Sequence, residues 1–136
     1  MATIATINLA SNISAGFGGI TKTMTLRKAG TTNDITETTG FSRRKLAATT
    51  AVDLITMANE LVEPLDNTAA KVYIKNMNLR GDGTKYVTVL LLTREIGRLY
   101  GGDWMFFPWN ATDGKDIEIT PSDATETTLE YTIFYE

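Results

Sequence analysis

The clearest hydrophobic pattern lies in residues 71 to 76, where Val72 and Ile74 alternate with Lys71, Tyr73 and Lys75. Side chains on a strand change face at every residue, so this alternation predicts a strand with one buried face. Arg80-Gly81-Asp82-Gly83 then supplies glycines for the positive φ angles of a tight reversal. Tyr86 to Leu92 returns as a strand that ends apolar on both faces, which predicts a central position. The two segments are expected to form a hairpin around which the chain is organised. Ile117-Glu118-Ile119-Thr120 alternates again, led in by Asn110 to Gly114 and led out by Pro121-Ser122-Asp123. The final segment, Thr128 to Glu136, is a predicted strand with Leu129, Tyr131, Ile133 and Tyr135 on one face. A strand at a chain end is usually tied into a sheet, so its deletion is expected to unfold the protein.

The first half is patterned more weakly. Residues 2 to 9 are small and β-branched and predict a strand, cut off by Ser11-Asn12 and by Gly16-Phe17-Gly18-Gly19. This segment reads as an ordinary first strand of the fold, or as an N-terminal arm, residues 1 to 19, ending in a glycine-rich hinge and laid on a neighbour's sheet edge. Ile20 to Leu26 predicts a second strand, and Thr31 to Gly40 a loop or short edge strand. Ala51 to Met57 reads as a strand against a helical rival, because Val52, Ile55 and Thr56 are β-branched. A short helix or turn is expected around Asn59 to Leu65, stopped by Pro64.

Composition sharpens the fold class. Threonine occurs 23 times, a β-branched abundance that suits pleated surfaces better than helices. At 136 residues and 43% hydrophobic content the chain suits one domain with one core. Seven to nine strands with short polar connections predict an all-β protein, a two-sheet antiparallel β-sandwich of jelly-roll kind spanning residues 1 to 136. No apolar run is long enough to span a bilayer, and the first residues lack the pattern of a signal peptide, so folding in a cytoplasm is expected.

Charge is unevenly placed. Residues 1 to 50 hold six bases against two acids, net +4; residues 51 to 102 balance; residues 103 to 136 hold eight acids against Lys115, net −7. Either strands from the two ends pair in one sheet and neutralise locally, or a basic edge of one subunit meets an acidic edge of the next. The total of −3 argues against general nucleic-acid affinity, and Arg43-Arg44-Lys45 is too small a basic patch to reverse that.

Candidate chemistry is sparse. With no histidine and no cysteine, Ser-His-Asp and Cys-His catalysis, imidazole metal sites and disulfides are excluded within this chain. Gly16 to Thr23 touches the phosphate-loop pattern, but Thr21 stands where glycine should precede Lys22, and a strand follows in place of a helix. The pairs Asp113/Asp116 and Asp116/Glu118 lack calcium-loop spacing and read as a solvated turn. Tyr100, Trp104, Phe106, Phe107 and Trp109 form an aromatic cluster that reads as core, as subunit interface or as a ligand platform. No enzyme activity and no cofactor is expected.

Val72-Tyr73-Ile74-Lys75-Asn76, Gly97 to Gly102 leading to Phe106-Phe107-Pro108, and Leu129 to Phe134 at the end together resemble small virion proteins of tailed bacteriophages. Those are compact β-sandwich chains that decorate or cement the capsid surface. The resemblance covers about the last half of the chain and is a texture of strands and turns. It implies a homo-oligomer, a trimer first, on the outer capsid surface of the virion, bridging major capsid protein subunits without nucleic acid or membrane. No functional residues carry over, because such contacts are surfaces. The expected contacts are the arm (Ile4, Ile7, Leu9), the basic patch (Arg43, Arg44, Lys45) and the aromatic corner (Tyr100, Trp104, Trp109). The alternative is a phage spike, fibre or tail module that binds a host glycan through an aromatic surface loop.

Overall fold

Strand alternation accounts for nearly all the regular structure of the chain. A computed structural model describes residues 3–9, 19–27, 32–35, 37–47, 49–56, 69–79, 83–110, 116–124 and 126–135. Among them are β1 (Ile4–Leu9), β2 (Ile20–Thr25), β3 (Glu37–Thr38), β4 (Ser42–Leu46), β5 (Val52–Ile55), β6 (Ala69–Asn76), β7 (Tyr86–Leu91), β8 (Arg94–Tyr100), β9 (Trp104–Asn110), β10 (Ile117–Pro121) and β11 (Thr127–Tyr135), and no helix. The helix or turn expected at residues 59 to 65 and the hinge glycines Gly16 and Gly18 lie outside the described residues.

The strands form a β-sandwich and a separate ribbon, all antiparallel. One sheet has the order β5-β10-β7-β8; the other has the order β3-β11-β6-β9, with β4 following β3 along the same edge of β11. Four pairings nest inside one another: β7 with β8, β6 with β9, β5 with β10 and β4 with β11. Every pair but the first is reached by crossing between the sheets, so sequence neighbours face each other across the core. The inner faces supply that core: Val72 and Ile74 from β6, Val87 and Val89 from β7, Ile117 and Ile119 from β10, Leu129 and Ile133 from β11, all at 0% exposure. β11 is an interior strand flanked by β6 and β4, as expected for a tied-down terminal segment.

The expected hairpin between residues 71–77 and 86–92 is not formed. β6 is occupied on one edge by β11 and on the other by β9, while β7 sits between β10 and β8 in the opposite sheet. The stretch from Arg80 to Asp82 lies outside the described residues. The hairpin that does form, β7 to β8, turns through Leu92 and Thr93, both with positive φ (51° and 63°) between the paired Leu91 and Arg94. β7 is central, as expected, but only one of its faces is fully buried. β1 is not a strand of the sandwich either; it pairs with β2 alone in a two-stranded ribbon.

Two local devices join the parts. Between β3 and β4 one extra residue separates the registers on β11, and Gly40 (φ 74°) takes the left-handed position this bulge needs. At the opposite end, Asn76 is 2% exposed and stitches the sheets together. Its side-chain amide donates to Leu99 O (3.0 Å), its N–H donates to Asp103 O (2.9 Å), and its carbonyl accepts from Gly102 N–H (2.9 Å). Gly101 lies under this corner, where a Cβ would fall 2.4 Å from Leu79 O, so only glycine fits.

Candidate functional site

The outer face of the five-stranded sheet is unusually aromatic for a surface. Alternation sends Lys71, Tyr73 and Lys75 of β6 outward, and likewise Trp104 and Phe106 of β9 and Glu130 and Phe134 of β11. Register then places Tyr73 opposite Phe106, and Lys75 between Trp104 on one side and Glu130 on the other. Phe41, delivered by the Gly40 bulge, meets Tyr73 edge-on with centroids 6.0 Å apart. Tyr73 and Trp104 lie 6.3 Å apart with planes tilted by 36°, and Phe106 meets Phe134 at 6.3 Å.

The ribbon lies over this face. Its base is anchored by Leu26 and Ile35, each 1% exposed and buried apart from the main core. Backbone hydrogen bonds fix them: Ile35 N–H to Leu26 O (2.8 Å), Leu26 N–H to Thr3 O (2.8 Å) and Thr3 N–H to Ile35 O (3.2 Å). Between the β1 wall and the sheet runs a groove of about 460 Å³, floored by Tyr73, Lys75, Trp104, Phe106, Glu130 and Phe134.

Electrostatics in the groove centre on Glu130. Arg43 is its direct cross-strand partner, and both Nε and an Nη of the guanidinium lie 2.9 Å from one carboxylate oxygen. The Glu130 side chain is 15% exposed, so this pair is better shielded than an ordinary surface bridge, whereas Lys45–Glu126 (2.9 Å) is open to solvent and worth little. Tyr73 titrates above the usual phenol value, first because partial burial disfavours the phenolate and second because the Glu130 charge repels it.

The residues expected at an interface are dispersed. Ile4 is 62% exposed on the ribbon and Ile7 half-buried, and both line the groove. Leu9 ends β1 in register with Ile20, and its side chain lies outside the described set. Arg43-Arg44-Lys45 is not a patch: alternation sends Arg43 and Lys45 to the outer face, where Glu130 and Glu126 hold them. Arg44 points the other way and donates to the Asp53 carbonyl of β5. Two of the bases of the first half are thus neutralised locally by two acids of the last segment. Tyr100 belongs to the other sheet, 5.3 Å from Tyr86, over which Arg98 stacks at 4.7 Å. Trp104 is on the groove floor, 49% exposed, while Trp109 is 1% exposed in the core and presents no surface to a partner. The aromatic corner is corrected accordingly: Trp104 and Trp109 are an odd number of residues apart on one strand and face opposite ways.

The groove-floor and rim residues missing from the expected contacts are Phe41, Tyr73, Lys75, Phe106, Glu130 and Phe134. The alternation of β6 and β11 showed the outward faces of Tyr73, Lys75, Glu130 and Phe134, but only strand order shows that those faces adjoin. Among the described residues no group of three or more His, Cys, Asp or Glu side chains is placed to hold a metal ion. No protein-family model matches this chain, and no curated protein is similar to it.

Proposed function

We propose that this chain is a structural virion protein of a tailed bacteriophage. It decorates or cements the outer capsid surface by bridging major capsid protein subunits non-covalently, and it acts as a homo-oligomer, a trimer first. The ribbon carries this reading. It stands outside both sheets and leaves Ile4, Ile20 and Met24 exposed at 62%, 41% and 52%. A two-stranded ribbon is marginal alone, and one with open apolar side chains gains stability by lying on a neighbour. The nested pairing of β4 to β11 supports reading the sandwich as a jelly roll, an architecture shared by viral capsid domains and lectins. That support is an analogy of fold and bears on the class of protein, not on a site.

The test is co-sedimentation of the purified chain with capsid shells built from the major capsid protein of the same genome. Saturable binding is expected, lost in Ile4→Asp/Met24→Asp while far-UV circular dichroism stays unchanged. A chain that never sediments with shells, at low or high salt, sinks the reading. The exposure of Trp104 favours a second reading, a spike, fibre or tail module that binds a host glycan.

A further inference from the structure

The groove under the ribbon has a chemistry that capsid bridging does not use. Phe41, Tyr73 and Trp104 form a row of rings with successive centroids 6.0 and 6.3 Å apart. Phe41 is 70% and Trp104 49% exposed. Soluble proteins rarely leave such a contiguous patch open unless something binds there. Beside the rings stand Lys75 and Glu130, opposite one another across β6 and β11.

We propose that this groove is a saccharide-binding site, taking a hexopyranose oligosaccharide whose ring packs on Trp104 and Tyr73. The inference rests on the glycan-module reading and narrows it to one site and one sugar class. A pyranose has an apolar face of C–H groups and a rim of hydroxyls. The slightly positive C–H hydrogens suit the negative face of an aromatic ring. The hydroxyl rim needs donors and acceptors at the ring edge, and Lys75 and Glu130 supply one of each.

Arg43 already balances the Glu130 carboxylate, so the Lys75 ammonium is the charge left beside the rings. Arg43 orients the Glu130 carboxylate from 2.9 Å, and the raised Tyr73 phenol keeps its proton and remains a donor. The volume of about 460 Å³ falls within the roughly 300–1,000 Å³ of small-molecule sites.

The experiment applies the full chain to an array of neutral and acidic oligosaccharides, then titrates each hit by tryptophan fluorescence. The two tryptophans separate cleanly, since Trp104 is exposed and Trp109 buried. A sugar in the groove changes the Trp104 emission, and Trp104→Phe removes that change. Trp104→Ala is expected to weaken binding at least about tenfold, and Lys75→Met to weaken it as well, both with unchanged circular dichroism. A hit that both variants bind as tightly as the parent overturns the groove assignment and leaves the glycan reading standing. Binding to no sugar overturns both readings.

Discussion

The β7–β8 hairpin is closed by Leu92-Thr93, with φ of 51° and 63° between the paired Leu91 and Arg94. Positive φ at both central positions is the signature of a type I′ turn, which normally takes Asn-Gly. A left-handed backbone costs an ordinary L-residue about 1–2 kcal/mol, and β-branched Thr93 is a poor occupant. Leu92 is 47% exposed, so little packing is lost on replacing it. Leu92→Asn should relieve about 1 kcal/mol, because Asn tolerates this conformation. Thr93→Gly relieves a similar strain but gives back about 0.5–1 kcal/mol in chain entropy. The double variant should therefore gain about 1–2 kcal/mol, or roughly 3–7 °C in Tm for a domain of this size. Urea unfolding followed by circular dichroism measures it, with the midpoint rising and the slope unchanged, since the same surface is exposed. A midpoint that stays put or falls would refute the left-handed assignment of this turn.

Other substitutions probe the corner, the two tryptophans and the groove. Gly101→Ala forces a Cβ to 2.4 Å from Leu79 O and should cost about 1–3 kcal/mol or more in thermal melts. Gly83→Ala meets nothing within 4 Å and should stay within about 0.5 kcal/mol of the parent. Trp109→Ala should lose about 3–5 kcal/mol by opening the core, against about 1 kcal/mol for half-exposed Trp104→Ala, which loses its contact with Tyr73; equal losses in urea would contradict the opposed faces of β9. The Tyr73 phenol holds its proton more tightly folded than unfolded, so the unfolded chain ionises first as pH rises past the ordinary phenol value. Its contribution to stability is complete below that value and falls away above it. Tyr73→Phe should flatten the alkaline end of the stability–pH profile, and an unchanged profile would remove Tyr73 from that role.

The strand character of this protein, and which side chains each strand buries, are determined by its sequence alone. Val72 and Ile74, Ile117 and Ile119, and Leu129 to Ile133 alternate with polar neighbours and sit inward, because side-chain direction on a strand follows from local covalent geometry. The all-β class follows for the same reason, from β-branched residues in most segments and aromatic ones in β9. Pairing is not local. Arg80 to Gly83 has better turn chemistry than Leu92-Thr93, yet β6 and β7 part to opposite sheets and the strained pair closes the hairpin, because core burial outweighs a turn preference of a few kcal/mol. Pairing in turn decides the surfaces. Only when β4 lies on β11 do Arg43 and Lys45 meet Glu130 and Glu126, so a basic run in the sequence becomes two ion pairs. Only when β6 lies between β9 and β11 do Tyr73, Lys75, Trp104 and Glu130 share a floor, though they are scattered over more than fifty positions. Such a site is made by long-range register, and register is set by the packing of the whole sandwich.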